Sequence, residues 1–163
     1  MASWDPAWPQ QYVLVAGRLK EGLGQVAVVV EHVGSTSVPG LAAKPVLDVL
    51  LLVRDPADEN AYVSKLEAAG FFLHMREPDW HQHRLLVAED PEVNLHVFAV
   101  GSEEAERMLV LRDRLRADQA DRALYERTKR TLSAQSWQRV QDYADAKSEV
   151  VEEIIARGRV ANA

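Results

Sequence analysis

The sequence contains no cysteine, no long uninterrupted apolar segment and no excess of basic residues. Without cysteine the chain cannot form disulfide bonds or thiolate metal sites. No apolar run approaches the roughly 18 residues that a membrane-spanning helix needs, and no basic region followed by an apolar run stands at the N-terminus. We therefore expect a cytoplasmic protein that does not span or contact a membrane.

The charge balance argues against a nucleic-acid partner. The chain has 19 Lys and Arg against 25 Asp and Glu, which gives a net charge of −6. Binding to duplex DNA or RNA requires a basic surface that neutralises phosphates, and no basic stripe stands out. A small anionic molecule needs only two or three cationic side chains in one pocket. We therefore predict a small-molecule ligand and no nucleic acid, and the composition does not define the oligomeric state.

The pattern of apolar residues predicts one α+β domain covering residues 1–163. A chain of 163 residues that is 47% hydrophobic can bury one core. Buried β-branched runs predict strands, and apolar residues at helical spacing predict helices. The predicted strands cover 26–33, 46–53, 71–75, 84–87 and 94–100, and the predicted helices cover 10–20 and 58–69 and then begin at 102, 121 and 136. The expected architecture is a small mixed β-sheet with a helical C-terminal layer.

The segment from residue 32 to residue 48 carries most of the chemical information. A strand leads into the turn Gly34-Ser35-Thr36-Ser37, and Asp48 opens the next strand. Backbone N–H groups and hydroxyls in such a turn can bind phosphate oxygens, while a carboxylate offers a hard oxygen ligand to Mg²⁺. Alternatively, the three hydroxyls cap a short helix, although a helix N-terminus also favours anions.

Several segments, in this order along the chain, resemble the GrpB family of nucleotidyltransferase-like proteins. They are Trp4-Asp-Pro-Ala-Trp-Pro9, the segment 32–48, Asn94-Leu-His-Val97, Leu111-Arg-Asp-Arg-Leu-Arg116 and Tyr143-Ala-Asp-Ala-Lys147. The resemblance covers nearly the whole chain and implies a nucleotidyltransferase-like fold. Domains related to this family are found fused to dephospho-CoA kinase.

The resemblance leaves the activity open. In the wider nucleotidyltransferase superfamily the Gly-Ser turn is followed by two carboxylates, one residue apart, that bind metal. Here Gly34, Ser35 and Asp48 match that pattern, but the second acidic position is Leu50. A nucleotidyltransferase would move a nucleotidyl group from an NTP to a small acceptor with Mg²⁺ or Mn²⁺. The alternatives are a non-catalytic ligand-binding or interaction module, and another reaction such as ATP-dependent ligation of a carboxylate.

The candidate catalytic residues are Asp48, His96 and Lys44, and the candidate metal ligands are Asp48 and His96. The resemblance assigns His96 to the strand that carries a third acid in the superfamily. An imidazole there would bind Mn²⁺ or Zn²⁺ better than Mg²⁺, or would donate a hydrogen bond to Asp48. Lys44 would neutralise phosphate or form an ion pair with Asp48. Glu31 is a weaker candidate, because strand alternation puts it on the face opposite His32.

Further residues are candidates for contact with the ligand, each with a structural alternative. They are the turn residues Gly34, Ser35, Thr36 and Ser37, together with His32, His83, Arg84, Arg112, Arg116, Lys129 and Lys147. Arg112 and Arg116 lie one helical turn apart and would form an anion clamp or a solvated salt-bridge face. His83 and His81 would share one face of an extended segment. The pocket is expected between the sheet and the helical layer.

Overall fold

The computed structural model describes residues 1–134 and 140–162. The helices are α1 (Ala7–Leu23), α2 (Val63–Ala68), α3 (Glu103–Ala117), α4 (Gln119–Ala134) and α5 (Val140–Ala161). The strands are β1 (Val29–Val33), β2 (Leu47–Val53), β3 (Phe72–Glu77), β4 (His83–Glu89) and β5 (Glu92–Ala99). Short 3₁₀ turns cover Gly24–Val26, Ser35–Ser37 and Glu59–Ala61.

The five strands form one mixed sheet in the order β1-β2-β5-β4-β3. The central strands β2 and β5 are parallel, and the other neighbouring pairs are antiparallel. In this register Asp48 lies opposite Val33 on one side and beside Asn94 on the other, while Leu50 lies beside His96. The register thus brings the start of β2 next to the end of β1.

Alternation along the strands gives the sheet two chemically different faces. One face packs against α1 and α2 and supplies the main apolar core. That core includes Trp8, Val15, Leu19, Leu23, Leu47, Val49, Leu51, Val53, Tyr62, Leu66, Phe71, Leu86, Val93, Leu95 and Val97. Asp48, Leu50 and His96 alternate with these residues and therefore point to the other face.

The predicted α+β class, with a nucleotidyltransferase-like small mixed sheet and C-terminal helices, is confirmed. The first strand starts later than predicted, because Gly24–Val26 form a 3₁₀ turn. The helix predicted over 58–69 is a 3₁₀ turn followed by the short α2. The predicted hairpin is present between β4 and β5, with a cis Asp90–Pro91 peptide bond. The predicted helix start at Ser136 lies outside the described residues.

The chain divides into two compact units, Met1–Glu106 and Arg107–Ala163. The first unit contains the sheet, α1 and α2. In the second unit α4 packs against α5, with Tyr125, Leu132, Ile154 and Ile155 buried. The single domain proposed for residues 1–163 stays a prediction. Among the described residues, no helix is both long and apolar enough to cross a bilayer.

Candidate functional site

The turn after β1 lies directly against Asp48. Gly34 has a φ of +73°, and a Cβ built at this position would lie 2.4 Å from Asp48 Oδ2. A side chain would therefore both strain the backbone and collide with the carboxylate. The Asp48 side chain is one-third exposed. The turn and the carboxylate thus lie side by side, on the same sheet edge, as the spacing in the sequence predicts.

Two of the three hydroxyls in the turn hold the turn together. Thr36 and Ser37 are buried. Thr36 Oγ1 is hydrogen-bonded to His32 Nε2 at 2.9 Å, and Ser37 Oγ donates to the Gly34 carbonyl at 2.5 Å. Ser35 is half-buried. Both hydroxyls thus have partners within the protein, in contacts other than a helix cap, and the contact of all three hydroxyls with a ligand stays a prediction.

His32 points away from Asp48. It lies opposite Val49 in the β1–β2 register, whereas Val33 lies opposite Asp48, so the two side chains leave opposite faces. The His32 ring stacks on Tyr12 of α1, with ring centroids 4.7 Å apart. The phase of β1 thus turns His32 toward α1, which is the packing alternative, and its contact with a ligand stays a prediction. Glu31 instead shares the Asp48 face and lies opposite Leu50.

A line of hydrogen bonds runs from Asp48 across four strands. His96 Nε2 lies 3.1 Å from Asp48 Oδ1, and His83 Nε2 lies 3.2 Å from His96 Nδ1. His83 Nδ1 in turn lies 2.7 Å from Glu77 Oε1. The predicted neighbourhood of Asp48 and His96 is thus observed, and His83 is brought to it. We call these four side chains, Asp48, His96, His83 and Glu77, the polar row.

Sequence reasoning missed Glu77. It is the last residue of β3 and lies opposite His83, the first residue of β4, across a tight turn. Pro78 and Asp79, which follow Glu77, are typical of a turn and were the available signal. His81 was expected to share an extended face with His83. His81 is instead exposed in the turn, where its φ is 54° and that of Gln82 is 55°.

The polar row requires one positive charge between its two carboxylates. Three hydrogen bonds join two imidazoles and two carboxylates, and two neutral imidazoles supply only two protons. The third bond needs an additional proton or a bound cation on the row. Burial lowers the pKa of His83, while the hydrogen bond to Glu77 opposes that effect.

Arg84 does not contribute to this face. It alternates with His83, is buried, and donates from Nε to Glu59 Oε2 at 3.2 Å. Arg84 Nη1 also donates to the Gln82 carbonyl at 2.9 Å. Alternation turns Arg84 to the face of the sheet opposite Asp48, so the structure does not bring it to the turn, and its contact with a ligand stays a prediction. Lys44 is exposed and, within the described part of the chain, forms no ion pair with Asp48.

The remaining cationic candidates belong to the second unit. Arg112 Nε donates to Asp113 Oδ1 at 2.9 Å, which is the salt-bridge alternative, and Arg116 is exposed. Lys129 Nζ and Lys147 Nζ lie 5.2 and 5.9 Å from the centre of the Tyr125 ring. These two lysines are thus brought together within the unit. Contact of all four residues with a ligand stays a prediction, and the Tyr143 side chain lies outside the described residues.

The donor set beside the turn fits one cation and not two. Leu50 is fully buried at the second acidic position. Within residues 1–134 and 140–162, no three His, Asp or Glu side chains are grouped to hold a metal ion. Asp48 and His96 are two donors, and a cation held by them would take its other ligands from water and substrate. A two-metal centre for nucleotidyl transfer does not fit these residues.

Comparison with known proteins identifies the family. A family model described as GrpB protein matches residues 1–157, and the chain therefore belongs to the GrpB family. The crystal structure of conserved protein GrpB from Enterococcus faecalis is similar, with a TM-score of 0.80 and 27% sequence identity. That similarity covers 96% of this chain and 97% of the other.

Curated relatives are similar over most of this chain. A UPF0157 protein of Halalkalibacterium halodurans is 52% identical over 157 residues, covering 96% of this chain and 80% of the relative. A UPF0157 protein of Streptomyces coelicolor is 44% identical over 99% of this chain and 84% of the relative. A protein of Mycolicibacterium paratuberculosis named dephospho-CoA kinase is 32% identical over 78% of this chain, which corresponds to 38% of that protein.

Proposed function

We propose that the protein binds a phosphorylated small molecule, with a nucleotide as the first candidate, beside the Gly34–Ser37 turn. One divalent cation would join the phosphate to Asp48 and His96. The observation that carries the proposal is the direct contact between the turn and the Asp48 carboxylate, with His96 Nε2 3.1 Å from that carboxylate. The turn backbone and an oxygen ligand for a cation then lie together at one edge of the sheet.

The cation is part of the proposal because of charge. A phosphate placed against the turn would lie close to the Asp48 carboxylate, and two like charges about 4 Å apart repel by about 4 kcal/mol at an effective dielectric constant near 20. A cation between them replaces this repulsion by two attractions. The carboxylate supplies a hard oxygen, and the imidazole is a good ligand for Mn²⁺ and Zn²⁺. Anion binding is therefore expected to depend on the cation.

Binding is favoured over nucleotidyl transfer. A transferase of the two-metal type needs a second carboxylate, and that position is the buried Leu50. Asp48 and His96 can hold and orient a phosphate through one cation, which would supply charge stabilisation there. If the protein also acts as a transferase, it would need a second cation held by substrate oxygens.

Calorimetric titration with and without Mn²⁺ or Mg²⁺ tests the proposal. The ligands are ATP, GTP and pyrophosphate, and also dephospho-CoA, because a dephospho-CoA kinase contains a related segment. We expect cation-dependent binding that Asp48→Asn removes. Glu67→Gln is the matched control, since Glu67 is an exposed carboxylate on α2. The absence of binding by all four at millimolar concentration would reject the proposal.

Two further outcomes of these experiments would support the alternative functions, a metal-independent binding module or a transferase. Binding that needs no cation and survives Asp48→Asn would identify a metal-independent binding module. Pyrophosphate release from an NTP in the presence of small acceptors, lost in Asp48→Asn and kept in Glu67→Gln, would identify a transferase.

A further inference from the structure

Glu77 and His83 have no role in the proposed binding of the ligand, although they continue the polar row away from Asp48. Glu77 lies on β3, and His83 lies on β4 between Glu77 and His96. A histidine that binds a metal through one ring nitrogen commonly donates from the other to a fixed acceptor. The polar row has this arrangement, extended by one further imidazole.

The direction of the hydrogen bonds follows from the two ends of the row. An ionised carboxylate only accepts, so His83 Nδ1 must donate to Glu77 Oε1 at 2.7 Å. A cation on His96 Nε2 leaves Nδ1 as the one ring nitrogen of His96 that can hold a proton, so His96 Nδ1 donates to His83 Nε2 at 3.2 Å. His96 consequently keeps a proton on Nδ1 and presents Nε2 to Asp48. In each ring, Nδ1 is thus the hydrogen-bond donor, and Nε2 is the nitrogen without a proton.

Packing prevents His83 from turning over. The residue is only 5% exposed. Its ring stacks on Phe98 with centroids 4.8 Å apart, and the Trp80 ring meets it edge-on at 5.3 Å. A ring held on these sides cannot exchange its two nitrogens without moving its neighbours. The direction of the row is therefore set by the sheet and by this aromatic packing.

We propose that Glu77 and His83 are positioning residues, which keep a proton on His96 Nδ1 and so direct His96 Nε2 toward Asp48 as a cation ligand. This inference rests on the proposed function. With Nδ1 occupied, Nε2 and Asp48 Oδ1 enclose one position for a positive charge. Because one of its two donors is an imidazole nitrogen, that position selects Mn²⁺, Zn²⁺ or Co²⁺ over Mg²⁺.

The proton positions can be measured on the protein loaded with Zn²⁺, which is diamagnetic. Two-bond ¹H–¹⁵N correlation spectra near neutral pH report which ring nitrogens of each histidine carry a proton. We expect His83 protonated only at Nδ1, and His96 protonated at Nδ1. His83 protonated at Nε2, or His96 without a proton on Nδ1, would overturn the proposal.

Three variants separate positioning from packing. His83→Phe keeps the aromatic ring but removes both hydrogen bonds, so the proton on His96 Nδ1 should no longer be fixed. His83→Gln can accept from His96 and donate to Glu77, and it should restore the wild-type spectrum of His96. Glu77→Leu changes a side chain that is 39% exposed, so it tests the same effect away from the core. An unchanged His96 spectrum in both His83→Phe and Glu77→Leu would also overturn the proposal.

The affinity for metal provides a second and separate readout. Affinity for Zn²⁺ or Co²⁺ should fall roughly 10- to 100-fold in His83→Phe, as when outer partners of metal-bound histidines are removed, and should recover in His83→Gln. Equal affinity in wild type and His83→Phe would overturn the positioning role while the proposed function stands. Failure of the wild type to bind any of the three cations would reject the cation site and, with it, the positioning role.

Discussion

His83 and Arg84 are adjacent residues of β4, and their side chains belong to two separate networks on opposite faces of the sheet. His83 joins His96 and Glu77, whereas Arg84 joins Glu59. Both residues are buried. One strand therefore supports the candidate site on one face and an ion pair beside the α1–α2 core on the other. Substitutions at the two positions are expected to have different consequences.

Loss of the Glu59 carboxylate should destabilise the first unit without affecting ligand binding. Glu59→Gln leaves the buried Arg84 guanidinium without a charged partner, which we expect to lower the free energy of unfolding by about 2–3 kcal/mol. Urea unfolding of wild type and variant measures the difference. Glu67→Gln, which removes an exposed carboxylate, should change the free energy of unfolding by less than about 0.5 kcal/mol.

The effect of Glu59→Gln should also depend on pH. The pKa of Glu59 lies below its ordinary value of 4.5, first because Arg76 donates hydrogen bonds to it and then because Arg84 does. A carboxyl whose pKa is lower in the folded protein stabilises it fully above the unfolded value, and this stabilisation is lost as the pH falls through the folded value. The stability difference should therefore be constant above pH 4.5 and shrink below it. A difference that grows in acid would contradict the ion pair.

Gly34→Ala should damage the turn more than a positive φ alone explains. Residue 34 has a φ of +73°, and a new methyl group would overlap the Asp48 carboxylate. We expect destabilisation by about 2–3 kcal/mol, from backbone strain and from displacement of the carboxylate. Phosphate-ligand binding should be lost as well, since the turn and Asp48 would separate.

Gly40→Ala is the matched control for that prediction. Gly40 has a similar φ of +84°, but a Cβ there would meet nothing within 4 Å. It should therefore cost only the strain of the left-handed backbone, about 1 kcal/mol. Equal effects of the two substitutions on stability and on binding would mean that the contact of residue 34 with Asp48 contributes to neither.

The contact between turn and carboxylate was predictable because it is local in the chain. Only a short segment joins β1 to β2, so an antiparallel neighbour brings Asp48 back to the turn. The position of His96 followed from the family resemblance. These predictions depend on the order and length of the helices and strands, which the pattern of apolar residues predicts well.

The faces of the side chains were harder to predict. Alternation correctly put His32 and Glu31 on opposite faces, but it does not say which face packs on α1. β1 is an edge strand whose first three residues are all half-buried, so its burial pattern carries little phase information. Glu77 was missed for a different reason. Its contact with His83 depends on a turn with two left-handed residues, neither of them glycine.

A buried carboxylate stabilises the second unit. Asp121 is 5% exposed and accepts hydrogen bonds from Arg157, at 2.6 Å, and from Arg114, at 2.8 Å. The hydrogen bonds from Arg157 first, and then from Arg114, lower the pKa of Asp121. Asp121→Asn should reduce the free energy of unfolding by about 3 kcal/mol. The loss should be full at neutral pH and diminish as the pH falls below 3.8, the ordinary value for this carboxyl.

Asp113→Asn is the control for Asp121, because the Asp113 side chain is 51% exposed. Thermal unfolding followed by circular dichroism should show little change for Asp113→Asn, since exposed pairs contribute about 0–1 kcal/mol. A comparable loss in both variants would show that burial of Asp121 is not the cause.

Restoring the second acid of the superfamily pattern should harm this protein. Leu50 is fully buried, so Leu50→Asp places a carboxylate where no partner was selected and removes apolar packing. We expect destabilisation by more than about 3 kcal/mol. Leu50→Asn introduces a side chain of the same shape as Asp but without its charge, so it should destabilise the protein less than Leu50→Asp does. Leu50→Met nearly conserves the side-chain volume and should lower the free energy of unfolding by less than about 1.5 kcal/mol.

Added Mn²⁺ distinguishes two reasons for that loss. If position 50 lies beneath the surface on which Asp48 and His96 meet solvent, a hydrated cation cannot reach its carboxylate, and Mn²⁺ should not raise the melting temperature of Leu50→Asp more than that of wild type. A specific rescue by Mn²⁺ would instead mean that two carboxylates can meet at this edge of the sheet. In that case the arrangement for two-metal transfer lacks only one side chain, and transfer would replace binding as the favoured function of the fold.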